Sequence, residues 1–154
     1  MQANTFAHLD GSILRIGIVA ARFNQNLTDA MLADCVNALA LCGVKESNMV
    51  TVRVPGAFEL PVAAATLADQ RDLDAIICLG VLIKGETKHD HYIADACANG
   101  IMNVALGAEI PVLFGVLTTE NLTQAEVRSL GTHKKGWEAG MSAVEMALAM
   151  KAIS

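Results

Sequence analysis

The chain alternates short apolar runs with longer segments of helical periodicity, and few folds accommodate that pattern. Ala75–Ile83 has the length of a strand that is buried on both faces, and so does Ile13–Ala21, a run interrupted by one arginine and one glycine. Met49–Val54 and Pro111–Leu117 are also strand-like. Strands that alternate with helices predict an α/β fold, in which a four-stranded parallel sheet lies between two helix layers and right-handed crossovers join the strands.

The helical segments have clear beginnings and ends. Apolar residues recur at three- and four-residue spacing in Leu27–Cys42, and Gly43 is a stop signal. The alanine-rich segment Ala57–Gln70 predicts a second helix with Pro61 in its first turns, where proline is tolerated. Three further helices are predicted: one with Ile93, Cys97, Ile101 and Val104 on one face, a short one from about Leu122 to Gly131, and a last one that buries Trp137, Met141, Val144 and Leu148.

Composition excludes several classes of protein. The formal net charge is −5, and without a run of basic residues we expect no nucleic-acid partner. Apolar residues make up 53% of the chain, yet the longest apolar run, Ala75–Ile83, is far shorter than the roughly 20 residues that span a bilayer, so no membrane partner is expected. The apolar excess instead suggests surface that is buried between subunits.

The N-terminus and the cysteines indicate a cytoplasmic protein. The first twelve residues have neither a charged region followed by an apolar core nor an Arg-rich amphipathic pattern, so they do not resemble a targeting segment. The four cysteines, Cys35, Cys42, Cys78 and Cys97, fall within predicted helices or strands, which favours free buried thiols over disulfides.

The loops that follow the strands are the candidate ligand-binding segments, because parallel sheets bind ligands at the carboxyl ends of their strands. Phe23 follows the first strand and could either stack on a flat heterocycle or cap the core. Glu59 lies in the first turn after Pro55-Gly56, where a carboxylate either compensates the helix dipole or binds a ligand together with free amides.

The loop after the third strand partly matches a phosphate-binding loop. Gly80, Gly85 and Thr87 follow Walker A spacing, but Glu86 stands where the motif needs lysine and would repel a triphosphate. A single phosphate group remains plausible, held by Lys84, Thr87 and the amides of the following helix.

Two clusters of ionisable residues have more than one reading. His89, at the predicted helix start, suits acid–base chemistry near neutral pH but could equally face solvent. A metal site at His89 and His91 is disfavoured because residues two apart point to different faces of a helix. Arg128, with Lys134 and Lys135, could recognise an anion or complement a helix end.

Together these segments resemble the 6,7-dimethyl-8-ribityllumazine synthase family. The resemblance extends from about residue 12 to residue 150. It is carried by Arg22-Phe23-Asn24, Val54 to Pro61, Gly80 to His89, Pro111 to Gly115, Leu117 to Asn121 and Ser142 to Met146.

The resemblance implies a transferase of riboflavin biosynthesis that needs no cofactor and no metal. It would condense 5-amino-6-(D-ribitylamino)uracil with 3,4-dihydroxy-2-butanone 4-phosphate to give the lumazine, phosphate and water. The implied substrate-binding residues are Phe23, Ala57, Phe58, Glu59, Val81, Leu82, Ile83 and, from an adjacent subunit, Phe114. The implied phosphate-binding residues are Glu86, Thr87, Arg128 and Lys135, with His89 relaying protons and Arg128 stabilising the departing phosphate.

The resemblance also implies a flavodoxin-like strand order of 2-1-3-4, with residues 12–154 as one domain and residues 1–11 as an arm that adds a strand to a neighbouring subunit. Members of the family assemble as pentamers, some of which build 60-subunit icosahedral shells, and riboflavin synthase is a candidate partner. The stretch from Arg128 to Gly136 is shorter than usual in the family, and His91 is an added histidine close to His89.

Two other functions remain as alternatives at this point. One is a relative that binds flavin or forms a shell without catalysis, although Glu59, His89 and Arg128 argue against it. The other is a flavodoxin-like FMN carrier, which the sheet topology alone would allow.

Overall fold

The computed structural model describes residues 6, 8–131 and 133–154 and contains one parallel four-stranded sheet in the order β2-β1-β3-β4. This confirms the predicted α/β/α architecture and strand order. The strands are β1 (Ile16–Ala21), β2 (Met49–Val54), β3 (Ala75–Ile83) and β4 (Val112–Thr119). The helices are α1 (Gln25–Leu41), α2 (Leu60–Gln70), α3 (His89–Ala108), α4 (Leu122–Ser129) and α5 (Lys135–Ile153). Short 3₁₀ helices at Glu46–Asn48 and Ala57–Glu59 precede β2 and α2.

The central strands are apolar throughout because each face of the sheet has its own core. Along β3, Ile77 and Leu79 point to the core shared with α1, α4 and α5, whereas Ile76 and Cys78 point to the core shared with α2 and α3. A strand covered by helices on both faces has no position at which a polar side chain would meet water. The uninterrupted apolar runs in the sequence therefore correspond to the central strands.

Three predicted boundaries were wrong by a few residues. Ile13 is 68% exposed, and β1 begins at Ile16, where pairing with both neighbouring strands begins. Strand β4 continues to Thr119 instead of Leu117, because β3 extends far enough to pair with it. The helix predicted from Ala57 begins as a 3₁₀ turn and becomes α-helical at Leu60, although the predicted place of the proline in its first turn is confirmed.

Helices α1 and α5 cross closely near the start of α5. A β-carbon on Gly136 would overlap the main-chain oxygen of Met31, and one on Gly140 would lie 2.9 Å from the main-chain oxygen of Cys35. Glycine at both positions lets the two backbones approach closely. The first turn of α5, which carries Lys135, is thereby held against α1.

The four cysteines are free and buried, as predicted, although Cys42 lies one residue beyond the end of α1. Burial raises the pKa of the Cys35 thiol to about 12 and that of Cys97 to about 11. The pKa of Cys78 is also raised, chiefly by burial and further by the nearby Cys97. Since thiolate is the reactive form, these cysteines are unreactive residues that pack the core.

Within residues 6, 8–131 and 133–154, no helix combines the length and the apolar character that crossing a membrane requires. Over the same residues, no three histidine, cysteine or acidic side chains come together as metal ligands. Most of the predicted arm, residues 1–5 and 7, lies outside the described residues. The described Phe6 packs edge-on against Trp137 of α5, with ring centroids 5.9 Å apart.

Candidate active site

A crevice opens at the carboxyl ends of β1 and β3, where the chain leaves the sheet towards opposite faces. Helix α1, after β1, packs with α5 on one face, whereas α3, after β3, packs with α2 on the other. Diverging connections of this kind leave space between adjacent strand ends. The space is a cavity of about 740 Å³.

The cavity combines aromatic and aliphatic walls with a few polar groups. Such a lining suits a flat, partly polar organic ligand. The described residues that line it are Phe23, Pro55, Gly56, Ala57, Phe58, Glu59, Val81, Leu82, Ile83, Gly85, Thr87, His89, Asp90, Tyr92 and Ile93.

Phe23 is presented to the cavity by a loop that is fixed on two sides. The main-chain N–H of Phe23 donates to the carbonyl of Pro55 over 3.0 Å, and the side chain of Asn24 donates to the carbonyl of Val81 over 2.9 Å. The phenyl ring remains 68% exposed. A ring held open to solvent at a strand end is available for stacking, and it does not cap the core.

Glu59 has a structural role that the sequence left open. Its carboxylate Oε2 accepts a hydrogen bond from the main-chain N–H of Gly56 over 2.9 Å, which caps the start of the 3₁₀ turn. Glu59 also lines the cavity, and no described hydrogen bond uses its Oε1. The residue therefore shapes the loop and stands at the cavity wall.

The start of α3 forms the polar side of the cavity. His89 is the first residue of this helix, and its main-chain N–H lies 3.4 Å from Thr87 Oγ1. His89 is exposed, and its imidazole is free of any described hydrogen bond. His91 does not join it, because its Nε2 lies 3.3 Å from Oδ2 of Asp95, one helical turn further on. His89 is therefore the histidine that faces the cavity.

A second cavity, of about 430 Å³, lies beside β4 and the start of α5. It is more polar than the first, and no described residue lines both. Its lining residues are Phe114, Val116, Leu117, Thr118, Arg128, His133, Lys135 and Glu138.

The basic side chains of this second cavity are held by local contacts. The guanidinium of Arg128 donates to the carbonyl of Gln124 over 3.1 Å, and Lys135 Nζ lies 3.7 Å from Glu138 Oε1. Asn121 begins α4 by accepting a hydrogen bond from the Gln124 N–H, which fixes the helix that carries Arg128. A cavity with these cations suits an anionic group.

Comparison with known proteins identifies the family. The family model described as 6,7-dimethyl-8-ribityllumazine synthase matches residues 13–151. The chain belongs to this family. It is also 45% identical, over 141 residues, to the 6,7-dimethyl-8-ribityllumazine synthase of Aquifex aeolicus (strain VF5), a match that covers 91% of this chain and 92% of the relative.

The residues that the lumazine synthase resemblance singled out divide between the two cavities. The first cavity brings together Phe23, Ala57, Phe58, Glu59, Val81, Leu82, Ile83, Thr87 and His89. The second brings together Phe114, Arg128 and Lys135. Glu86 is exposed and lines neither cavity, and the neighbouring Lys84 is paired with Glu120 over 3.3 Å.

Two residues at these cavities had no role in the sequence-based prediction. Asn24 has a left-handed backbone, with φ of 59°, and anchors the Phe23 loop. Its preference for that conformation was a usable signal, because asparagine tolerates it better than most residues. His133 lines the second cavity, but no periodic or motif signal marks a histidine in a short loop between helices.

Proposed function

We propose that this protein condenses 5-amino-6-(D-ribitylamino)uracil with 3,4-dihydroxy-2-butanone 4-phosphate to form 6,7-dimethyl-8-ribityllumazine. The observation that carries the proposal is the crevice between the ends of β1 and β3, where an exposed phenyl ring, a free carboxylate oxygen and the histidine at the start of α3 face one cavity. Membership of the lumazine synthase family indicates which reaction this arrangement would catalyse.

The pyrimidine and its ribityl chain would occupy the larger cavity. Phe23 would stack on the flat ring, and the apolar end of β3, Val81–Ile83, would support its other side. Polar edges would meet Glu59 Oε1 and the free amides of Ala57 and Phe58 at the start of the 3₁₀ turn. Such contacts would hold the two substrates at reacting distance.

The phosphorylated ketone would lie where two subunits meet. Thr87 and the amino end of α3 offer hydrogen-bond donors on one side, and Arg128 and Lys135 offer positive charge in a separate cavity. Because Arg128 shares its cavity with Phe114, we propose that both come to the substrate from a neighbouring subunit. Glu86 would contribute only through its main-chain amide.

The chain's residues then have distinct tasks in the reaction. The 5-amino group attacks the ketone carbonyl, and loss of water gives an imine. Elimination then releases phosphate, and attack by the ribitylamino nitrogen, with loss of a second water, closes the ring. His89 Nδ1 or Nε2 would carry protons between these groups, a role that its exposed position allows. Arg128 would stabilise the charge on the departing phosphate.

An assembly is part of this proposal, because each cavity alone offers only part of the site. Large apolar side chains are exposed on the face formed by α2 and α3, including Val62 (68%), Met102 (59%) and Leu106 (70%). Surface of this kind is usually covered by another subunit. We propose a cytoplasmic pentamer, which could assemble further into a 60-subunit shell and deliver product to riboflavin synthase.

An absorbance assay tests the reaction. Purified protein is mixed with both substrates, and the spontaneous rate at the same pH is subtracted. We expect lumazine formation that is proportional to protein and saturable in each substrate. A folded protein that gives no rate above background, especially one that carries bound flavin, would contradict the proposal and favour a non-catalytic relative.

A further inference from the structure

His133 lines the second cavity, although none of the roles assigned above uses it. The described charged groups around this cavity come from two helices and the loop between them: Arg128 from α4, Lys135 and Glu138 from α5, and Lys134 next to His133 in the loop. Strand β4 supplies Phe114, Val116, Leu117 and Thr118, which carry no charge.

The loop that carries His133 is held in an uncommon backbone conformation. Lys134 has φ of 37° and ψ of 62°, in the left-handed region. This conformation is unfavourable for a non-glycine residue and occurs preferentially at functional sites. The residues on either side of Lys134, His133 and Lys135, both line the cavity. The strained residue therefore lies between two side chains that face the same space.

The fixed charges of the cavity do not balance a phosphate monoester. Lys135 is already paired with Glu138, at 3.7 Å, which leaves Arg128 as the cation without a carboxylate partner among the described lining residues. A phosphate monoester carries about −1.5 to −2 charges at pH 7. One further positive charge is needed, and a protonated imidazole at position 133 would supply it.

We infer that His133 is a phosphate-binding residue of this site, and that its imidazolium donates a hydrogen bond to the phosphate group of the substrate. This inference rests on the proposed function for the identity of the phosphorylated ligand. Because imidazole changes its charge between pH 5 and 8, phosphate binding would take up a proton and would weaken as the pH rises above neutrality.

Calorimetric titration of the assembled protein with inorganic phosphate tests this inference. Titrations at pH 6.5 and 8.5, in buffers of different ionisation enthalpy, give both the affinity and the protons taken up. The variants are His133→Gln, His133→Lys and a control, His8→Gln, which removes an exposed histidine that lines neither cavity.

We expect His133→Gln to weaken phosphate binding about two- to fivefold at pH 6.5, the size of one exposed charge contact, and to change it little at pH 8.5. Proton uptake at pH 6.5 should fall in the same variant. His133→Lys should keep tight binding at pH 8.5, and His8→Gln should match the wild type. Wild-type affinity and proton uptake in His133→Gln, or no phosphate binding by the wild type, would overturn the inference.

The synthase assay separates this inference from the proposed function. If the wild type makes no lumazine but binds phosphate through His133, the proposed reaction is contradicted and the phosphate contact is supported. If the wild type makes lumazine and His133→Gln has an unchanged KM for the phosphorylated substrate at pH 6.5, the His133 contact is contradicted and the proposed reaction is supported.

Discussion

The side-chain amide of Asn24 donates a hydrogen bond to the main-chain carbonyl of Val81, 2.9 Å away. Strand β1 pairs with β3 only as far as Leu79. The carbonyl of Val81 therefore lies beyond the last residue of β3 that β1 pairs with. The Asn24 side chain satisfies this buried carbonyl in place of a strand. The same contact fixes the loop that presents Phe23 to the larger cavity.

Removing this bond should lower both stability and substrate affinity. Asn24→Ala loses the hydrogen bond and also forces alanine into a left-handed conformation, so we expect a loss of about 2–3 kcal/mol in the free energy of unfolding. Asn24→Gly keeps the conformation and should lose about half as much. Both variants should raise the KM for the pyrimidine. Chemical denaturation and steady-state kinetics check these expectations, and wild-type stability in Asn24→Ala would contradict them.

Substitutions at Glu59 separate its capping role from its proposed ligand contact. Glu59→Gln retains an oxygen that can accept from the Gly56 N–H, so its stability should stay close to that of the wild type. Glu59→Ala should lose about 0.5–2 kcal/mol, as a removed cap does. Both variants should raise the KM for the pyrimidine, because both remove the carboxylate. An unchanged KM in Glu59→Gln would show that this residue only shapes the loop.

The two histidines of α3 form a matched pair for testing the proton relay. His89→Ala should lower kcat about 10- to 100-fold, at or below the lower limit of general acid–base contributions, because the exposed site admits water. His91→Gln should leave kcat within about twofold, because that imidazole faces Asp95 and not the cavity. Thermal unfolding should be similar in both. Equal kcat values in the two variants would remove His89 as the relay.

The buried thiol of Cys35 predicts a loss of stability in alkali. Burial raises its pKa to about 12, whereas an exposed thiol in the unfolded chain ionises near pH 8.5, so the unfolded state alone releases this proton between those values. The contribution to stability is complete below about pH 8.5 and declines as the pH rises further. Between pH 7.5 and 10, urea unfolding of the wild type should lose about 1–2 kcal/mol more than Cys35→Ala. An equal loss of unfolding free energy in the wild type and Cys35→Ala would contradict the raised pKa of Cys35.

The sheet could be predicted from the sequence because both of its faces are covered. Continuous apolar runs such as Ala75–Ile83 need two cores, and the helices between them fix a parallel arrangement. The predicted ends of the strands were less accurate, because each end depends on how far the partner strand extends. Thr119, for example, extends β4 because it pairs with Ile83.

The candidate site was harder to predict because its residues meet through long-range contacts. Phe23 and His89 could be placed at strand ends, but the bond from Asn24 to Val81 joins residues far apart in sequence. The separation of Arg128 from His89 into different cavities also depends on the three-dimensional path of β4 and α4. His133 lines its cavity from a short loop next to the left-handed Lys134, and no periodic pattern in the sequence marks such a position.

Subunit complementation tests most directly whether the two cavities of neighbouring subunits form one lumazine synthase site. His89→Ala and Arg128→Ala are each expected to be impaired, since each damages a different cavity. When the two proteins are unfolded together in equal amounts and reassembled, about a quarter of the shared sites should combine an intact His89 with an intact Arg128 from the neighbour. Lumazine formation should then recover to about a quarter of the wild-type rate. A mixed assembly no more active than the average of its two parents would contradict it.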